Sequence, residues 1–376
     1  MSKKFRESHL IKILHGFSKQ TLPLDVFLRN YFKSEKAIGS HDRKFLAETV
    51  YTMFRWLGLV DYLSVDHSWE SRFEIFNKLD ILKERLNPNI PAHISVSFPK
   101  SMYDFLISSL GKEKTDQFCL ASNSQAPTTI RVNPLKISRD ELYKKWQDTF
   151  EITKCLHSEL GIIFKKRENF FGMSEFKEGL FEVQDEGSQL VSFLVDAKPG
   201  DQVLDFCSGS GGKTLGFAYK LESKGQIYLH DIRDFVLGEA KKRLKRAGIQ
   251  NAQILKFSDT KKKKLKKTMD WVLVDAPCSG SGTLRRNPDM KWRFNPSSVN
   301  NLQQEQREIF AEGLSYLKPG GKIVYATCSI LPQENEQQTE YFLSKFPLKL
   351  FQPPLQTFPS DGGMDGFYAA VFQLMN

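Results

Sequence analysis

"VLDFCSGSGGKT", residues 203 to 214, is an apolar strand that runs into a turn holding Gly209, Gly211 and Gly212 before a helix begins. Glycine lets the backbone come close to a ligand, and the helix start adds free N–H groups and a positive dipole end. The same grammar continues on both sides. "DQVLDF" (201–206), "GQIYLHD" (225–231), "NAQILKF" (251–257), "DWVLVDAP" (270–277) and "GKIVYATCS" (321–329) are apolar runs of strand length, separated by amphipathic stretches such as "DFVLGEAKKRLKRAG" (234–248). That alternation predicts an α/β domain with a parallel, doubly wound sheet, which binds ligands at the carboxyl ends of its strands.

The glycine turn lacks the frame of a phosphate-binding P-loop. Asp231, at the end of the second strand, is placed to accept hydrogen bonds from ribose hydroxyls, and Asp259, after the third, to receive an adenine amino group. Either acid alone is most simply a strand-end cap. Together, behind a glycine turn, they suit an adenosine ligand without phosphates, and S-adenosylmethionine fits better than a dinucleotide.

Composition narrows the partner. The 376 residues are too many for one ordinary domain, and 54 Lys plus Arg against 44 Asp plus Glu give a net charge of +10, which favours a polyanion. No apolar run reaches the roughly 18 residues of a spanning helix, so a membrane partner is not expected. The opening "MSKKFRESHLIKILHGF" has no secretory apolar core, and five cysteines without CxxC spacing suggest neither a disulfide framework nor zinc. No histidine pair has metal-ligand spacing. A cytoplasmic monomer without metal is the expectation.

Residues 1–90 read as helical, with Phe45 or Leu46, Val50, Phe54 and Leu57 forming one apolar face of "DRKFLAETVYTMFRWL". "LNPNIPAH", 86–93, marks a boundary, 91–175 read as a small α/β module, and 176–376 hold the doubly wound domain.

Two thiols then stand out. Cys278 and Cys328 each follow the carboxyl end of an apolar strand, and if those strands are neighbours, about 4.8 Å apart, the thiols flank one substrate. Cys119, Cys155 and Cys207 read as small hydrophobes. The chemistry that needs a thiolate beside a methyl donor is methylation at C5 of a pyrimidine, a carbon too weakly nucleophilic to attack a sulfonium directly. Thiolate addition at C6 makes C5 nucleophilic, and a second group must remove the C5 proton. Asp275, in "DAPC", is placed to contact N3 of the base. Basic residues interleaved with an aromatic suit RNA: Arg285, Arg286, Lys291 and Arg293 surround Trp292 in "TLRRNPDMKWRF", and "TIRVN" offers Arg131 and Asn133. The plainer reading is surface charge around a core tryptophan.

"VLVDAPCSGSGTLRRNPDMKW", "KIVYATCSILPQENE", "EVQDEGSQLV", "RVNPL" and "MDGFYAAVF" together resemble the Sun/RsmB family of RNA cytosine-5 methyltransferases. The resemblance extends to "FLRNYFKSEKAIGSHDRKFLAETVYTMFRWL", which is similar to the all-α NusB-like domain of bacterial ribosomal-RNA members. It implies a Rossmann-like class I S-adenosylmethionine-dependent methyltransferase domain, a small α/β RNA-binding module, and 16S ribosomal RNA as substrate. It also implies that Cys328 is the nucleophile and Cys278 assists product release. The loop Cys207, Ser208, Gly209, Ser210, Gly211, Gly212, Lys213, with Asp231, Asp259 and Asp275, would line the cofactor pocket. The family's loop reads CAAPGGKT; here the proline is absent, which predicts a looser loop, and Val236 stands where the family has an arginine. A transfer-RNA or DNA cytosine-5 methyltransferase, or a noncatalytic RNA-binding assembly protein, are the alternatives.

Overall fold

The computed structural model describes residues 3–78, 80–256 and 260–375. They fall into two compact units, Met1–Gln125 with Thr283–Pro296, and Ala126–Gly282 with Ser297–Asn376.

The first unit is helical. Leu10, Ile13 and Leu14 from helix Lys3–Ser18 meet Leu28, Leu46, Val50, Met53, Phe54 and Trp69 in one core. On helix Ser40–Arg55 the buried register runs through Leu46, fully buried, while Phe45 stays 41% exposed. Leu46, Val50 and Met53 share one helical face, and Phe45 lies a step of about 100° away from it. The prolines of the expected boundary near 86–93 do not end the helical region. Pro91 and Pro99 stand at the N-caps of helices Ala92–Ser95 and Lys100–Leu110, where a missing N–H costs nothing. By packing, the first unit's N-terminal part ends at Gln125 and the second unit begins at Ala126.

The second unit carries two sheets. Strands β1 (Thr128–Val132), β2 (Ile152–Lys154), β3 (Gly161–Phe164) and β4 (Phe181–Val183) form an antiparallel sheet in the order β2-β3-β1-β4. Helix Arg139–Trp146, started by a Ser138/Glu141 capping box, sets Trp146 edge-on against Phe150, Phe164 and Phe181.

The large sheet contains β5 (Gln202–Asp205), β6 (Gln226–His230), β7 (Ala252–Leu255), β8 (Met269–Asp275), β9 (Leu317–Thr327), β10 (Leu348–Leu350), β11 (Leu355–Thr357) and β12 (Phe367–Leu374). The order is β10-β12-β9-β8-β5-β6-β7, with β11 on β12. From β7 to β9 all pairs are parallel, as the alternating pattern predicts. β12 runs antiparallel to β9, a departure from an all-parallel sheet. Only residues 358–366 separate β11 from β12, too few for the crossover a parallel pair needs, so the chain folds back as a hairpin. Side chains alternate between two cores: Leu273 and Val324 join one, Val272, Val274 and Tyr325 the other. Burial on both faces explains the near-continuous apolar runs in the sequence. Among the described residues no helix is long and apolar enough to cross a membrane.

Candidate active site

The carboxyl ends of β5, β6 and β8 open onto a cavity of about 780 Å³, within the usual range of a small-molecule site. Its floor is the turn after β5. Gly209 and Gly211 have φ of 52° and 78°, values that favour glycine. The absent proline has a substitute. Arg243 donates to the Ser210 carbonyl at 3.0 Å and hydroxyl at 2.7 Å, and its guanidinium is paired with Glu182 at 3.1 Å. Ser210 thus has a polar anchor where the family pattern has a rigid ring.

Asp231 closes the side of the turn. Its carboxylate accepts from Gly209 N at 2.9 Å, and from Arg233 N and Nε at 2.9 and 3.0 Å. Burial would raise its pKa, but the Arg233 side chain and these N–H groups hold it below the usual carboxylate value. Asp205, wholly buried at the end of β5, accepts from Thr214 Oγ1 at 2.6 Å through one oxygen; the other has no hydrogen-bond partner. Burial pushes this carboxyl up to about 7, against the Thr214 hydrogen bond. Lys213 is bonded to Asp275. Burial disfavours its charge, yet Asp275, with a smaller contribution from Cys328, leaves the ammonium above its ordinary value.

Asp205, Asp231, Asp275, Glu305 and Glu312 line the cavity against Lys213, Arg233 and Arg243, an acidic excess that disfavours phosphates and suits a cationic adenosyl group. Asp231 and the unpartnered Asp205 oxygen supply acceptors, and the glycine turn admits close backbone approach. Cys207, Ser208, Gly209, Ser210, Gly212, Lys213, Asp231 and Asp275 all line the cavity; Gly211 lies buried beneath it. Asp259 lies outside the described residues.

β8 and β9 are neighbours, and their ladder continues past Asp275 through Ala276 N to Ala326 O at 2.9 Å. Cys278 and Cys328 therefore emerge side by side, with Sγ atoms 3.4 Å apart. The two turns are joined further by Gly282 N to Cys328 O at 2.9 Å and Ile330 N to Ser281 Oγ at 3.0 Å. Gly282 has no room for a side chain, since a Cβ would meet Gly366 O at 2.0 Å. The hydrogen bond to Cys328 and then burial drive the Cys278 thiol well above its ordinary pKa, with the charges of Cys328 and Glu334 adding.

The expected RNA contacts fare differently. Arg131 is buried in the second unit, where it bonds Gln184 and donates to Gly212 O at 3.1 Å, and burial pulls its pKa down to about 10. Asn133 ties Gly179 O and Ala247 O, both at 2.9 Å. Arg131, being buried, is an internal brace and is corrected as an RNA contact, and half-buried Asn133 spends its amide on two backbone carbonyls. In the first unit, Arg285 and Lys291 are fully buried, which corrects the same expectation for them. Lys291 Nζ donates to Arg55 O at 2.6 Å and Asn123 Oδ1 at 2.7 Å, and Trp292 Nε1 to Phe54 O at 2.9 Å. Phe54 and Arg55 end helix Ser40–Arg55, whose last carbonyls need donors from outside the helix. The basic stretch is thus partly a helix cap. Arg293 donates to Thr21 O and Leu22 O, in the segment between helices Lys3–Ser18 and Leu24–Ser34, but remains exposed, and Arg286 is half-buried.

The sequence reading assigned no role to Asp205, Arg243 or Glu334. Asp205 and Glu334 stand inside the quoted "VLDF" and "PQENE" motifs, so a signal was present; nothing local marks Arg243. Among the described residues no group of three or more His, Cys, Asp or Glu could hold a metal.

A parallel sheet with one reversed strand, a glycine turn after its first strand and an acid ending the next defines the class I S-adenosylmethionine-dependent methyltransferase fold. The family model described as 16S rRNA methyltransferase RsmB/F matches residues 192–373, and a RsmF/B-like ferredoxin-like domain matches 98–170. Ribosomal RNA small subunit methyltransferase B of Proteus mirabilis is 31% identical over 78% of this chain and 68% of its own length. Its counterpart in Vibrio vulnificus is 35% identical over 67% of this chain and 61% of its own length. The crystal structure of PH0851 covers 96% of this chain and 97% of its own, with a TM-score of 0.79 and 24% identity, a likeness of fold. The chain belongs to the RsmB/F family. Its match spans about three-fifths of the length of the first such relatives.

Proposed function

We propose that this protein transfers a methyl group from S-adenosylmethionine to C5 of a cytidine in RNA, with small-subunit ribosomal RNA as the substrate. The observation that carries the chemistry is the pair of thiols 3.4 Å apart at the ends of adjacent strands, beside an acidic, glycine-floored cavity. The names of the relatives point to ribosomal RNA. When bound, S-adenosylmethionine supplies an electrophilic methyl. Asp231 and the turn 207–213 bind its adenosyl part, and Asp205 offers an acceptor close by.

In this reading the Cys328 thiolate adds to C6 of the base while N3 takes a proton from the Lys213–Asp275 pair, which recovers it when the adduct breaks. The C5–C6 double bond becomes the electron pair that takes the methyl at C5 as the methyl–sulfur bond breaks, its electrons staying on the sulfur of the departing S-adenosylhomocysteine. A base then removes the C5 proton, and that electron pair re-forms the double bond as sulfur leaves C6. Cys278 is the thiol in contact with Cys328, and it assists this last step. The target cytidine must leave its stack to reach the cleft. Arg286 and Arg293 are the members of the basic stretch proposed to meet RNA.

The test is covalent trapping with ribosomal and transfer RNA pools and S-adenosylmethionine. Cys278→Ala is expected to accumulate a protein–RNA band on a denaturing gel, chiefly with ribosomal RNA, and Cys328→Ala none. A band only with Cys328→Ala would reverse the roles, and equal trapping of transfer RNA would overturn the substrate.

A further inference from the structure

Behind the two cysteine turns lies a carboxylate that the proposed chemistry does not use. Glu334 is fully buried, in the "PQENE" segment after β9. Its Oε1 accepts from Ser279 N at 2.9 Å and Gln306 Nε2 at 3.0 Å, and its Oε2 from Ser279 Oγ at 2.5 Å and Ser329 Oγ at 2.6 Å. Ser279 directly follows Cys278, and Ser329 directly follows Cys328. One side chain therefore grips both turns at the residue next to each thiol. A buried charge is tolerated only when its lone pairs are filled, and these four donors fill them. Tyr325 fixes the backbone of the same residue, donating to Glu334 O at 2.8 Å, and Gln306 reaches Pro277 O at 3.0 Å.

We propose that Glu334 is a positioning residue that locks the Cys278 turn onto the Cys328 turn, so that both thiols address one base. This rests on the covalent-adduct reading above. The direct hydroxyl contacts between the turns, Ser279–Ser329 at 3.2 Å and Ser281–Ser329 at 3.0 Å, are longer than the two that Glu334 Oε2 accepts, at 2.5 and 2.6 Å, so the carboxylate is the tighter link at the residues next to the thiols. The negative charge also acts on Cys278, favouring its protonated form beside Cys328. Glu334 touches neither cofactor nor base, and its effect passes through the turns.

The experiment compares Glu334→Gln and Glu334→Ala with the wild type and with Cys278→Ala, as full-length chains, on ribosomal RNA. Both Glu334 variants are expected to bind S-adenosylmethionine within about twofold of the wild type and to keep the KM for RNA. The expected fall in kcat is at least a hundredfold for Glu334→Ala and less for Glu334→Gln, which keeps the shape. In Glu334→Gln the alkaline limb of the pH–rate profile should move to lower pH, because Cys278 has lost a neighbouring negative charge. Wild-type kcat in Glu334→Ala, or a loss of cofactor binding in both variants equal to the loss of rate, would overturn the positioning role. Failure of the underlying reading looks different: Cys278→Ala then traps no RNA and the wild type methylates none.

Discussion

Asp205 concentrates the physical tension of the site in one carboxyl. It is shut away from water, satisfied on one oxygen only, and titrates near 7 where an exposed aspartate titrates near 3.9. An unfolded chain releases this proton on rising past pH of about 4, and the native chain keeps it until about 7. The native state therefore holds the extra proton between those values, and its stability falls as pH rises through that window. Asp205→Asn is expected to flatten this decline, seen as a smaller loss of Tm between pH 4.5 and 7.5. A cationic ligand in the cavity favours the ionised form. Binding of S-adenosylmethionine near pH 6.5 should release a proton from wild type and none from Asp205→Asn, which calorimetry in buffers of different ionisation enthalpy reads directly. The identity of Asp205 is plain in the sequence, but its burial is not, because the atoms that dehydrate it come from elsewhere in the chain.

Among the elements, the turn 207–213 and helix Asp234–Ala247 form one device. The turn has lost the proline of its family and gained two hydrogen bonds from Arg243, which sits on the helix and is itself held by Glu182 of β4. Arg243→Ala removes both bonds, each worth about 0.5–1.5 kcal/mol net, and one partner of Glu182, so the affinity for S-adenosylmethionine is expected to weaken about tenfold with a modest loss of Tm. An unchanged Kd in a binding titration would show that the turn holds its shape without the anchor. Strands β5 to β9 were legible from their apolar runs because a strand buried on both faces needs no partner information to be recognised. The reversal of β12 was not, since hand and direction depend on the length of the connection and not on the strand's own residues. Helix Ser40–Arg55 shows the same limit: adjacent Phe45 and Leu46 are both apolar, and only packing selects Leu46 for the core.

Across the whole molecule, residues 283–296 have the largest effect on how the chain is read. They follow Cys278 in sequence yet belong to the helical unit, and Lys291 is fully buried there on the end of helix Ser40–Arg55. Removing it as Lys291→Ala leaves the Arg55 carbonyl and Asn123 Oδ1 without their donor, at about 1–3 kcal/mol each. The expected outcome is a clear loss of Tm with no change in the salt dependence of RNA binding, since a buried lysine neutralises no phosphate. A shallower salt slope in Lys291→Ala would restore it to the RNA surface.

By itself the sequence determined the class of sheet, the glycine turn, the acid after the second strand and the pair of thiols at matching strand ends, because each depends on short-range periodicity and spacing. Tertiary structure alone decided that the thiols lie 3.4 Å apart, that Glu334 grips both turns, and that Arg131, Arg285 and Lys291 serve as internal braces. A charge written in a sequence says nothing of whether it faces water. That is settled by which carbonyls and carboxylates the rest of the chain leaves in need of a donor.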